Sequence, residues 1–103
     1  MKRIVTLFAL GLASTACGPE RTADVLALTG DATNGATLYG THCAGCHGDD
    51  GRSGSVGEDI VHELGDDGAE VIDTMITGDG DMPAFDQLSD QEMADIVAHM
   101  KTL

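Results

Sequence analysis

A chain of 103 residues with five Lys and Arg against 18 Asp and Glu, a formal net charge of −13, has room for one small domain and excludes a second independent core. That charge sets aside binding to nucleic acid phosphates or anionic lipid headgroups, and it assigns any electrostatically steered partner a basic surface. With no Trp, one Tyr and two Phe, the core is poor in aromatic material, so a disulfide, metal, cofactor or partner is needed to offset chain entropy.

Lys2 and Arg3 lead into an apolar stretch from Ile4 to Ala13 and then small residues up to Cys17, the layout of a secretory signal over residues 1–16. The stretch is too short to span a bilayer. Leu12-Ala13-Ser14-Thr15-Ala16 ahead of Cys17 resembles the lipobox of bacterial lipoproteins, in which the Cys is acylated and becomes the new N-terminus. Ser14 departs from that pattern, which more often has Leu, Val or Ala there. The rival reading is ordinary cleavage near Ala16 with Cys17 left as a free thiol; both readings predict export to the periplasm. Removal of the signal leaves Arg21, Arg52 and Lys101 as the only bases against all 18 acids.

Residues 17–30 have no repeating apolar stripe and read as a tether or irregular leader before a domain over residues 31–103. Asp31 or Thr33 caps a first helix that carries Gly35, Leu38 and Tyr39 and ends around Cys43. Gly45, Gly48, Gly51, Gly54 and Gly57 then forbid a long helix. Asp59 to Leu64 predicts one helical turn, and Glu70 to Ile76 a short helix stopped by Gly78 and Gly80. Ser89 and Glu92 form a capping box ahead of Met93, Ile96, Val97 and Met100, spaced i, i+3, i+4, i+7. No segment alternates with period two for long enough to make a strand, so the fold class is all-α with long glycine-rich loops.

Cys43-Ala44-Gly45-Cys46-His47 is a C-x-x-C-H string, the attachment pattern of c-type haem. Two Cys three apart on a helical turn lie on one side and can each add to a vinyl group of the same porphyrin, while the His that follows reaches the iron. Ala44 and Gly45 are small enough for the backbone to lie close to the macrocycle. Three other readings stand beside this one. A redox C-x-x-C wants a thioredoxin-like alternation of strands and helices, a structural zinc site wants a second pair of ligands, and a Cys43–Cys46 disulfide makes a tight, strained loop.

Gly35, Tyr39, Cys43, Cys46 and His47, followed by Gly78 to Phe85 with Met82-Pro83-Ala84-Phe85 and a C-terminal amphipathic helix, resemble the class I monohaem cytochromes c, especially short bacterial ones. The resemblance covers residues 31–103. It implies a cytochrome c fold of three to four short helices around one covalent haem c, with Gly35 and Tyr39 packed against Ile96, Val97 and Met100. It also implies Met82 as the sixth iron ligand. The residues support that independently: Met82 lies in a loop rather than on a helix face, and Pro83 restricts its geometry. Met75, Met93 and Met100 belong to helical apolar patterns. His99 takes a packing role beside the first helix, and His42 and His62 read as surface residues; bis-histidine ligation through His62 or His99 is the competing arrangement. Many relatives carry a Pro in the loop after the motif whose carbonyl accepts the His N–H. This chain has none there, so a carbonyl between Ser55 and Ile60 is expected to take that role. Arg52 has two readings, a partner of a haem propionate or an exposed salt bridge.

The function these residues imply is one-electron transfer in a respiratory chain, without enzymatic activity, with His47 and Met82 both bound to iron. The acids Asp49, Asp50, Asp66, Asp67, Asp79 and Asp81 suggest a redox partner with a basic docking surface, and a solvated acidic face is the other reading. A membrane enters only through lipid at Cys17. The alternative function is a haem enzyme or sensor with an open sixth coordination site.

Overall fold

The computed structural model describes residues 19–103, so the expected signal over residues 1–16 and Cys17 lie outside the described residues. Five α-helices and one 3-10 turn follow in chain order: α1 (Pro19–Leu26), α2 (Ala32–His42), α3 (Ala44–His47), the 3-10 turn His62–Leu64, α4 (Ala69–Thr77) and α5 (Asp90–Met100). Among the described residues no strand forms, and a single isolated bridge joins Asp79 to Met82. The fold is all-α.

The local signals act as their chemistry dictates. The Asp31 carboxylate caps α2 by accepting from the amides of Thr33 (2.9 Å) and Asn34 (3.3 Å). Both bonds of the capping box are present at α5, Glu92 N–H to Ser89 Oγ and Ser89 N–H to Glu92 Oε1, each 3.0 Å. The single turn expected over residues 59–64 is the 3-10 turn, started by Asp59 accepting from His62 N–H at 3.0 Å. Gly78 ends α4 at φ +74°.

The expected tether is a helix. Among the side chains described over residues 20–26, α1 buries Thr22 and Val25, one polar and one apolar residue three apart, which is too little to register as a stripe. Beside Val25 in the core, Arg21 fastens it to α5, its Nε donating to Asp90 Oδ1 at 2.8 Å. The helix count is accordingly higher than the three to four expected.

The core centres on the crossing of α2 with α5, where Tyr39, Met93, Ile96 and Met100 are fully buried, with Ile72 of α4 and Val25 of α1 completing it. The crossing is close because glycine faces backbone. A Cβ at Gly35 would lie 1.8 Å from the Asp95 carbonyl oxygen, and one at Gly30 would lie 2.2 Å from that of Ala94. Beside this contact Asp95, 3% exposed, accepts from Asp31 N–H (2.7 Å), Asn34 Nδ2 (2.8 Å) and Gln91 Nε2 (2.9 Å). Burial pushes its pKa up, but these donors outweigh burial and hold the carboxyl below the usual aspartate value. The buried carboxylate thereby fastens the start of α2 to the middle of α5.

Two measurements check this account. In the haem-loaded protein Gly35→Ala is expected to lower unfolding stability by about 3 kcal/mol through overpacking. Gly40→Ala, on the same helix but with open space around its Cβ, is expected to raise stability by about 0.5–1 kcal/mol. Denaturant midpoints separate the two. The stabilisation from ionised Asp95 is fully present above the unfolded aspartate value and is lost as the pH falls through the lower native one. Thermal unfolding from about pH 5 downward is therefore expected to fall more steeply in wild type than in Asp95→Asn.

Candidate functional site

α2 delivers the C-x-x-C-H string from its C-terminal end. Cys43 follows the last residue of α2 and caps the one-turn α3, whose first bonds run from Cys46 N–H (3.3 Å) and His47 N–H (3.0 Å) to the Cys43 carbonyl. The two cysteines are thus held three apart on one turn. They are not joined in a disulfide; Cys43 is half-buried against the core and Cys46 is exposed. Burial pushes the Cys43 thiol up to about 11, the opposite of the easily ionised thiol that a redox dithiol requires. Among the described residues no cluster of three or more His, Cys, Asp or Glu is arranged to hold a metal ion, which leaves a four-ligand zinc site without its second pair.

The backbone around the motif is fixed by two close approaches. Tyr39, 2% exposed, donates its hydroxyl to the Gly48 carbonyl at 2.7 Å, tying the residue after His47 back to α2. The loop over residues 53–57 closes over the Cys46–His47 peptide: a Cβ at Gly54 would lie 2.0 Å from the Cys46 carbonyl oxygen, and Val56 N–H donates to that oxygen at 3.3 Å. Asp50 folds the chain into this loop by accepting from Arg52 N–H (2.9 Å), Ser53 N–H (2.9 Å) and Ser53 Oγ (2.8 Å).

The expected carbonyl partner of His47 is absent. The loop turns an N–H, that of Val56, toward the motif, and His47 Nδ1 is buried with no hydrogen-bond partner among the described residues. Tyr39 Oη to the Gly48 carbonyl is a restraint on the backbone next to His47, not on the ring. The signal for it was a tyrosine, rather than another aromatic, one helical turn before Cys43.

Met82 lies at the base of a tight turn closed in both directions, Asp79 N–H to Met82 O (3.1 Å) and Met82 N–H to Asp79 O (2.9 Å), with Gly80 at φ +56°. Met75, Met93 and Met100 are 3%, 0% and 1% exposed in the core. Met82 alone among the described methionines keeps an accessible surface. The loop returns through Phe85, whose N–H donates to the Met75 carbonyl at 2.6 Å and whose ring lies edge-on to that of His42 with centroids 5.9 Å apart. His42 directly precedes Cys43, so the fold brings the Met82 loop and the C-x-x-C-H turn to one place. His99 packs beside Tyr39 with ring centroids 5.3 Å apart, and His62 is exposed. Arg52 pairs with Asp59 at 3.4 Å, both half-exposed.

These residues fit a haem c. The unbonded thiols stand on one turn with the imidazole of His47 directly after them, and Gly45 between them borders open space. The family model described as cytochrome c oxidase, cbb3-type, subunit III matches residues 30–100. The chain belongs to this cytochrome c family. Its cofactor is covalently bound haem c, and the chemistry of the family is haem-based electron transfer. The chain is 34% identical over 76 residues to a cytochrome bc1 complex cytochrome c subunit of Corynebacterium diphtheriae, an alignment covering 70% of this chain and 27% of the relative. It is 33% identical over 73 residues to a cytochrome c6-like protein of Nostoc sp., covering 65% of this chain and 66% of the relative. A bc1 complex cytochrome c subunit of Corynebacterium efficiens is 34% identical over 76 residues, 70% of this chain and 26% of the relative. The chain therefore spans about a quarter of the length of the two corynebacterial subunits. No solved structure matches it significantly.

Burial above all, with the charges of Asp50 and Asp49 acting in the same direction, pushes the Tyr39 hydroxyl up to about 12; the Cys43 thiol adds to this only while it is not bonded to haem. At pH 10, where a free tyrosine is half ionised, the phenolate absorbance of Tyr39 is expected to be absent from the folded protein. A group whose native pKa lies above its unfolded one loses its stabilisation as the pH rises between the two, so stability is expected to decline above pH 10. Tyr39→Phe removes the bond to Gly48 and is expected to cost about 1 kcal/mol, with a flatter alkaline stability profile.

Proposed function

We propose that the chain is an exported one-electron carrier in which Cys43 and Cys46 hold haem c through thioether bonds and His47 and Met82 are the two axial ligands. Residues 31–103 form the haem domain, and residues 1–16 are a signal removed on export. When bound, the haem supplies an iron that alternates between the ferrous and ferric states. With His47 and Met82 both bound to it, the iron would have no open position for a substrate, and the thioether of Met82 would raise the reduction potential. Cys43, Cys46 and His47 act from a single helical turn anchored to α2. Met82 acts from a turn closed on Asp79 and followed by Pro83, which supplies no backbone donor.

The observation that carries this reading is the position of Met82. It is the one described methionine outside the core, on the loop that Phe85 docks beside His42. Two corynebacterial relatives are named as subunits of a cytochrome bc1 complex, and this supports a role in a respiratory chain. Asp49, Asp50, Asp66, Asp67, Asp79 and Asp81 are all exposed, and they favour a redox partner that presents a basic surface. Among the described residues no helix is long and apolar enough to cross a membrane; acylated Cys17 is the anchor to the membrane, with more than one acyl chain giving stable attachment.

The ferric protein is expected to show the weak red-end band of methionine bound to haem iron. Met82→Ala is expected to lose the band, lower the reduction potential and bind carbon monoxide rapidly when reduced. A wild type that lacks the band and binds carbon monoxide readily has an open sixth site, and the enzyme or sensor reading then replaces electron transfer. Electron transfer to a basic partner is expected to slow as salt rises, since exposed charges are screened beyond about 8 Å at physiological ionic strength. Rates indifferent to salt count against acid-guided docking.

A further inference from the structure

α1 lies outside residues 30–100, the span matched by the family model, yet its Arg21 reaches into the segment that follows the Met82 loop. The guanidinium uses all three nitrogens: Nε donates to Asp90 Oδ1 at 2.8 Å, Nη1 to the Asp86 carbonyl at 2.9 Å and Nη2 to the Leu88 carbonyl. The side chain is 16% exposed, so the fork is largely withdrawn from solvent screening. The bonds are charge-assisted, and the planar fork loses little further entropy in making them.

The spacing gives this contact its meaning. Phe85 N–H is held by the Met75 carbonyl, Leu88 N–H by the Phe85 carbonyl at 3.0 Å, and the next carbonyls along, of Asp86 and Leu88, are held by Arg21. Only Pro83 and Ala84 lie between Met82 and the first of these anchors. Without the fork, residues 86–90 keep the Phe85–Leu88 bond and the α5 cap but lose these three hydrogen bonds to α1.

We propose that α1 is a brace on the Met82 loop and that Arg21 is a positioning residue for Met82, setting how readily the sulfur leaves its place. The role of Met82 rests on the ligation described above; the brace on residues 85–90 does not.

The test uses the haem-loaded protein with Arg21→Gln and Arg21→Lys, beside Ile72→Val, a core change on α4 that lowers global stability and removes no hydrogen bond to residues 86–90. Loss of one hydrogen bond to a charged group is expected to raise the Met82-dissociated population about tenfold. That appears in Arg21→Gln as the red-end band lost at a pH about one unit lower, and as faster carbon monoxide binding; Arg21→Lys is expected to recover part of the loss. Amide exchange at Phe85 and Leu88 is expected to quicken in Arg21→Gln relative to Ile96 and Val97. If Arg21→Gln matches Ile72→Val in band, carbon monoxide binding and the exchange pattern, Arg21 only adds stability and the proposal falls. If wild type never shows the band but the selective exchange at Phe85 and Leu88 appears, the brace stands and the ligation reading fails instead.

Discussion

The close crossing of α2 and α5 is the contact from which the rest of the structure takes its position. Gly30 and Gly35 leave no side chain at the crossing, so the backbones meet, and buried Asp95 of α5 ties down the start of α2 through two donors, Asp31 N–H and Asn34 Nδ2. One geometric decision follows from that contact. The C-terminal end of α2 hands over Cys43, and the start of α5 receives the chain from the Met82 loop, so two segments some forty residues apart in sequence arrive together. The His42–Phe85 ring contact is where they touch.

Around that frame a small, aromatic-poor core is made adequate by polar restraints at specific places. Tyr39 spends its hydroxyl on Gly48, next to the histidine of the motif, and Gly54 lets the following loop close over the Cys46–His47 peptide. These contacts hold the haem-binding turn by its backbone from two sides. The Met82 side is held differently, by a two-bond turn at Asp79, by Phe85 on Met75 and by the Arg21 fork from α1.

Legibility in the sequence followed the range of the interactions. Caps, helix stops and the C-x-x-C-H turn are local: Asp31, Ser89 with Glu92, and Gly78 act within three or four residues, so their identity and spacing decide them. Met82 was separable from Met75, Met93 and Met100 because helical periodicity claims those three for the core. The leader could not be read as α1, because Thr22 and Val25, the side chains it buries among those described, make no repeating pattern, and its arginine has partners more than sixty residues away. The absence of a carbonyl partner for His47 was equally out of reach, since loop residues 53–57 face the motif through whichever backbone group a non-local packing leaves available.

By itself the sequence determined the helical class, the caps and stops of the helices from α2 onward, and the spacing of the C-x-x-C-H turn, because these depend on side-chain type and on spacing within a turn or two. Tertiary structure decided that α1 is a helix docked across the start of α5, that Tyr39 restrains Gly48, and that Arg52 pairs with Asp59. Each of those depends on where separate segments of chain meet. That is set by the fit of whole helix faces at the α2–α5 crossing, which no short stretch of sequence contains.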